Sequence, residues 1–271
     1  MSRYKLRANY DIENIDSQKM DGTVIVDVPM LSNGELNYGL SYIKKKLYEE
    51  NVYPSEIGFD IMSLATMVYM ADTRIERVVH GQDSWTREIE LEIPVSNVEI
   101  WDSQIHTVER MLKFLTGDLW KITLSSRAWQ FNNLEEVREK SNKYDEVSLF
   151  SGGMDSLIST INLMENKKNT LLISHAGEGL TKNAQKNIVN KFDLLYPDVL
   201  HTWLDLWMVF PRDYIPAGGN DNNTRSRSFL FIGYALFAMT GMDNINELLV
   251  PENGLIALNV PSVSYTHLTL P

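Results

Sequence analysis

Cysteine is missing from all 271 residues, which excludes disulfides, thiolate metal sites and cysteine nucleophiles within this sequence. Long hydrophobic runs are missing as well. The apolar stretches are interrupted well short of the ~20 residues that span a bilayer, and the N-terminus, MSRYKLRANYDIENID, lacks the apolar segment of a secretory signal. The expectation is a soluble, cytoplasmic protein that makes no use of a membrane. Positive charge is scarce: 25 Lys and Arg stand against 36 Asp and Glu, a net charge of −11. The imbalance is even, with 17 basic and 23 acidic residues over 1–143 and 8 and 13 over 144–271. Neither half shows the basic field of a general nucleic-acid binder, so nucleic acid is not an expected partner. The chain does hold 44% hydrophobic residues, enough for one large core or two ordinary ones.

The first half mixes periodicities. TVIVDVP (23–29) reads as a strand, LNYGLSYIKKKLYEEN (36–51) as an amphipathic helix and FDIMSLATMVYMADTRI (59–75) as a more buried helix. REIELEIPV (87–95) alternates charged and aliphatic residues and predicts a strand with one buried face. HTVERMLKFLTGD (106–118) then reads as a helix and LWKITL (119–124) as a strand. This pattern predicts an α+β domain over residues 1–143, ending in the polar stretch NNLEEVREKSNKYDE (132–146).

Beyond it the rhythm changes. VSLF (147–150), TLLIS (170–174), VLHTWLDLWMVF (199–210) and NELLV (246–250) are short apolar runs separated by helical patterns at 157–166, 181–195 and 225–240. Strands alternating with helices predict βαβ units, a parallel sheet and hence an α/β domain over 144–262. The last nine residues, VSYTHLTLP (263–271), match the translation of a sequencing-library adapter. They are expected to be an adapter-derived tail on a domain that is incomplete at its C-terminus.

Between VSLF and the helical SLISTINLME lies the hexapeptide SGGMDS (151–156). A loop there stands at the carboxyl edge of a parallel sheet, where ligands bind, and leads into helix amides that have no internal partner. Gly152 and Gly153 let a phosphate approach the backbone, and Ser151 and Ser156 offer hydroxyl donors. Asp155 suits a magnesium ion shared with phosphates, or a role in orienting the loop. The lysine of GxxxxGK[ST] is missing, and the pattern is not GxGxxG. A glycine turn with a small polar helix cap and no ligand is the alternative reading.

TRSRSFLFIGYALFAM (224–239) is apolar almost all round from Phe229 and predicts a buried helix. Arg225 and Arg227 stand at its N-terminal end, where the helix dipole disfavours cations. They pair either with acids such as Asp221 or with the phosphates of a nucleotide, and Ser226 and Ser228 are candidate caps. His175 in SHAGEG (174–179) can hydrogen-bond a base or simply complete a turn, and Glu252 in PENG (251–254) can serve substrate or metal or an ordinary turn. The tryptophans Trp85, Trp101, Trp203 and Trp207 read as packing residues.

SGGMDS resembles the SGGxDS signature of the PP-loop ATP pyrophosphatases. Taken with TRSRSFLFIGYALFAM and LLVPENGLIALNVP, the chain over about 144–261 is most similar to their 7-cyano-7-deazaguanine synthase branch. More narrowly, it resembles the synthase-like component of the Qat anti-phage defence system. ADTRIERV and WTREIELEIPVS are similar to the N-terminal extension of those defence-associated proteins.

The resemblance implies a HUP-type parallel sheet with helices on both faces, and adenylation of a deazaguanine-like carboxylate with release of pyrophosphate. It also implies ATP and magnesium as reactants and protein partners from a defence system. On it, Asp155 and Arg227 are the catalytic residues, Ser151, Gly152, Gly153, Met154, Asp155, Ser156, His175 and Arg225 hold the nucleotide, and Asp155 holds the metal. The cysteine zinc site of the pathway enzymes is not in this sequence, so zinc would belong only to chain beyond residue 262. SHAGEG also departs from their pattern, which bears on the acceptor substrate. A non-catalytic, ATP-sensing subunit of a defence complex is the alternative function. Transfer-RNA thiolation or lysidine-type modification shares the loop, but the acidic balance and the lack of cysteine argue against it.

Overall fold

A computed structural model describes residues 3–131, 140–175, 179–221 and 225–252. Along the chain these form β1 (Arg3–Asn9), β2 (Asp16–Met20), β3 (Thr23–Pro29), β4 (Leu31–Ser32), β5 (Glu35–Leu36), α1 (Leu40–Glu49), α2 (Glu56–Arg74) and α3 (Arg77–His80). They continue as β6 (Glu88–Val95), α4 (Val98–Asp102), α5 (Ile105–Thr116), β7 (Leu119–Ser126), β8 (Glu146–Leu149), α6 (Met154–Glu165), β9 (Thr170–His175) and α7 (Gly179–Leu195). Last come β10 (His201–Leu206), α8 (Arg227–Met239) and β11 (Leu248–Leu249). The adapter-like tail at 263–271, most of the polar stretch at 132–139 and the loop residues 176–178 lie outside the described residues.

The chain divides into two units, and the division is not the continuous one expected near residue 143. The first unit comprises 1–140 together with 208–241, and the second comprises 141–207 together with 242–271. The reason is α8. It buries Leu230, Gly233, Tyr234, Ala235, Phe237 and Ala238, and an apolar helix of this kind needs an apolar partner. That partner is α2, itself buried on nearly every face. Their approach is close: a Cβ added at Gly233 would stand 2.8 Å from that of Ala65.

The first unit is built on a five-stranded sheet in the order β2-β3-β1-β6-β7. Its β3, β1, β6 and β7 run parallel and only the edge strand β2 is antiparallel, so the sheet is mostly parallel rather than the α+β arrangement expected. In β1, Tyr4, Leu6 and Ala8 are buried while Arg3, Lys5 and Arg7 take the other face. That face is stitched by charge across strands: Lys5 reaches Glu90 at 3.2 Å and Glu92 at 3.0 Å, and Arg7 pairs with Asp27.

The second unit holds a four-stranded, wholly parallel sheet in the order β10-β9-β8-β11. Leu157 and Ile161 of α6 and Ile188, Val189 and Phe192 of α7 pack with Phe150, Leu172 and Trp203 in its core. From β8 the chain winds to β9 and β10 on one side, then β11 pairs with β8 on the other. That reversal is a topological switch point, and the crevice it creates opens at the carboxyl ends of β8 and β11. Among the described residues no helix is long and apolar enough to cross a membrane.

Candidate functional site

Residues 150–153 leave β8 at this switch point and feed α6. Phe150 stays in the sheet, donating its N–H to the Ile173 carbonyl at 2.8 Å. Gly152 then takes φ +81°, the left-handed region that favours glycine. Its neighbour enforces the choice, because a Cβ there would stand 2.8 Å from Cγ of Gln185. Gly153 is the N-cap of α6 in extended backbone, and no side chain caps the helix. A Cβ there would meet only the Ser151 hydroxyl, at 3.4 Å.

The hydroxyls expected to face a ligand are divided in their roles. Ser156 is 2% exposed and its hydroxyl is spent inside the loop, donating to the Gly153 carbonyl at 2.9 Å and accepting from the Gly152 N–H at 3.1 Å. Its oxygen also lies 3.2 Å from Oγ of Ser151, which accepts from the Gly153 N–H at 3.3 Å. Ser156 therefore shapes the loop, while Ser151, Gly153, Met154 and Asp155 remain exposed. The first-turn amides of α6 follow directly, an arrangement suited to an anion.

Gln185 was not foreseen as part of this site. Its Nε2 donates to the carbonyls of Ser151 at 3.0 Å and Phe150 at 3.3 Å, from a side chain in a residue only 1% exposed. Its Oε1 is buried without a hydrogen-bond partner among the described residues. The signal was present: Gln185, Ile188, Val189 and Phe192 share one stripe of α7, and a glutamine heads an otherwise apolar row. Behind it, Ser174 donates to the Phe150 carbonyl and accepts from Nε1 of Trp203 at 2.9 Å. Two side-chain donors thus fix the carbonyl at which the chain leaves the sheet.

His175 is buried at the carboxyl end of β9, with residues 176–178 of its loop outside the described residues. Glu252 is exposed and follows β11 on the other side of the switch point, while Asn253 and Gly254 of the same turn lie outside the described residues.

Arg225 and Arg227 fall in the first unit, and Arg225 is held there. Arg225 donates to the Thr116 carbonyl at 2.8 Å and lies over the ring of Trp85, 4.4 Å from its centroid; Arg227 opens α8. The anion that the α8 N-terminus calls for is Asp72 of α2, whose Oδ2 accepts from the Ser226 N–H at 3.0 Å. Asp221 faces Arg77 at 3.9 Å and Arg87 at 3.7 Å.

Asp72 belongs to a buried network at the amino ends of β6 and β7. Arg87 bonds Asp72 at 2.5 Å and Asp118 at 2.6 Å, and Arg77 bonds Asp118 at 2.7 Å. Burial pushes the Asp118 carboxyl up, but its bonds to Arg87 and the charges of Arg87 and Arg77 outweigh that and hold it below the ordinary range. Sequence reasoning missed this network, although an aspartate at position 72 inside an apolar helix is its mark.

The groups that the resemblance implies can be tested against these residues. Gly152 and the exposed amide edge of α6 fit the phosphates of a nucleotide. Asp155 is an exposed carboxylate on the same turn, which suits magnesium, an ion commonly held by one or two carboxylates plus phosphates. Among the described residues no cluster of three or more His, Cys, Asp or Glu is placed to hold a metal by itself. No protein-family model, curated protein or solved structure matches the chain.

Proposed function

We propose that the second unit binds ATP and uses it to adenylate a carboxylate substrate, releasing pyrophosphate, as a PP-loop ATP pyrophosphatase of the 7-cyano-7-deazaguanine synthase-like, defence-associated branch. The observation that carries the reading is the SGGMDS loop at the switch point of a parallel sheet, with a left-handed glycine and uncapped helix amides. The strand order β10-β9-β8-β11 supports a HUP-type sheet.

In the reaction, a carboxylate oxygen attacks the α-phosphorus of ATP, the bond to the bridging oxygen breaks, and that oxygen leaves with pyrophosphate. Gly152 and Gly153 keep side chains out of the way of the departing phosphates, and the amides at the start of α6 hold their charge. Ser156 and Gln185 keep the loop in the shape that allows this. Asp155 would hold magnesium, which supplies charge neutralisation at the phosphates. The substrate class is a deazaguanine-like carboxylate, and the setting is a cytoplasmic defence assembly with protein partners.

The test is calorimetric titration of ATP with magnesium into the 271-residue chain, followed by measured pyrophosphate release with candidate carboxylates and cognate partners. Binding with release supports adenylation. Binding without release supports the ATP-sensing subunit instead. No binding removes the nucleotide reading altogether.

A further inference from the structure

We propose that Gln185 is a positioning residue of the nucleotide site: its side-chain amide turns the carbonyls of Phe150 and Ser151 away from the phosphates, so that the loop meets them with N–H groups. The inference rests on the reading of the second unit as an ATP site, and it adds a residue from outside the SGGMDS loop, 34 positions from Ser151.

A loop attracts an anion with its N–H groups and repels it with its carbonyls, so the orientation of each peptide plane decides what the loop can bind. None of the described peptide bonds is cis, and in a trans peptide the C=O and the N–H that follows it point in opposite directions. Two planes are fixed here. The plane between Ser151 and Gly152 is held at both ends, its carbonyl by Nε2 of Gln185 at 3.0 Å and its N–H by the Ser156 hydroxyl at 3.1 Å. The plane between Phe150 and Ser151 is held by its carbonyl, which accepts from Nε2 of Gln185 at 3.3 Å and from the Ser174 hydroxyl. Both donors belong to buried residues, Gln185 at 1% and Ser174 at 0% exposure. The opposite end of that plane, the Ser151 N–H, is therefore directed away from them. It has no hydrogen-bond partner among the described residues, and it belongs to an exposed residue just ahead of the uncapped start of α6.

Gln185 holds these planes at a cost to the fold. Its Oε1 is buried with no hydrogen-bond partner among the described residues, and a stranded acceptor is destabilising. Leucine or methionine would serve packing better on this stripe of α7, beside Ile188, Val189 and Phe192. A glutamine that strands one polar atom there is explained by what its other polar atom does.

Calorimetric titration of ATP with magnesium into the whole chain, as the parent and two variants, tests the proposal at about pH 9 and about pH 6, a range that brackets the titration of a buried glutamic acid. Gln185→Met keeps the length of the side chain and has no donor. Gln185→Glu keeps its shape, has no donor when ionised and regains an O–H when protonated. At the higher pH both variants should bind ATP about tenfold or more weakly than the parent. At the lower pH, measured against the parent at the same pH, the deficit of Gln185→Glu should shrink about fivefold while that of Gln185→Met stays. A side chain that mattered only for packing would show no such difference. The proposal is overturned if Gln185→Met binds within about twofold of the parent, or if the deficit of Gln185→Glu is the same at both pH values. Should Gln185→Met not fold, the Gln185→Glu comparison decides alone. A parent protein that binds no ATP overturns the nucleotide reading and this inference together, whereas either failure in a variant of a parent that binds ATP overturns this inference alone.

Discussion

The two units each lay strands in parallel and each reverse direction at a switch point, but they furnish the two carboxyl edges with opposite materials. In the second unit the edge is backbone: a left-handed Gly152, an uncapped helix start and a Ser156 hydroxyl turned inward to hold the loop. In the first it is side chains: a caged Arg127, two buried or half-buried carboxylates and stacked aromatics. Topology decides where a crevice opens, and residue chemistry decides what it can hold. Backbone donors suit a polyanion, whereas an edge where Asp60 and Glu56 outnumber Arg127 does not.

The contrast predicts that damage to the two edges will look different. Arg127→Met leaves Asp60 and Glu56 facing an apolar side chain, and chemical denaturation should register a loss of about 3–5 kcal/mol. A loss under about 1 kcal/mol would mean that the arginine is not buried with its acids.

Gly152→Ala places a β-carbon in left-handed backbone and against Gln185, a loss of about 1–2 kcal/mol from the backbone alone, and ATP affinity should fall with it. Gly153→Ala has neither problem, since Gly153 is extended and its added carbon meets only the Ser151 hydroxyl at 3.4 Å. It should leave the melt unchanged and lower ATP affinity only, so calorimetry on the pair separates shaping the loop from approaching the phosphate.

Acid provides a graded effect. Asp118 is held below its ordinary range in the folded state, so its contribution is present above the unfolded value of about 3.9 and is lost as pH falls through the lower folded value. Denaturation midpoints between pH 6 and pH 3, a range chosen about that value, should fall more for the parent protein than for Asp118→Asn, which starts lower. The smallest effect is expected at Ser226, whose hydroxyl is buried with no partner among the described residues. Ser226→Ala should be neutral or slightly stabilising in a thermal melt.

Much of the local structure was legible because periodicity is local. The alternation of REIELEIPV became β6, with Ile89, Leu91, Ile93 and Val95 buried, and the carboxyl-edge position of SGGMDS followed from an apolar run before it and a helix after it. β1 carried the same alternation in RYKLRAN, but three apolar residues among basic ones do not announce a central strand, because its polar face is satisfied by Glu90, Glu92 and Asp27 from its neighbours. The parallel character of the first sheet and the packing of α8 on α2 depend on pairings between distant segments, which no window of sequence contains. Gln185, Asp72 and Arg127 share one lesson. Each is a polar residue inside or beside an apolar pattern, and a partner of each lies between 34 and 154 positions away.

The interleaving of the units has a consequence for synthesis. The first unit cannot bury the face of α2 that α8 covers until residue 241 has left the ribosome, by which time β8, β9 and β10 have already emerged. The second unit waits in turn for β11 at 248–249. Neither half can finish before the other has begun, so an emerging chain holds two unfinished cores at once, and a pause in translation anywhere between residues 141 and 241 exposes α2.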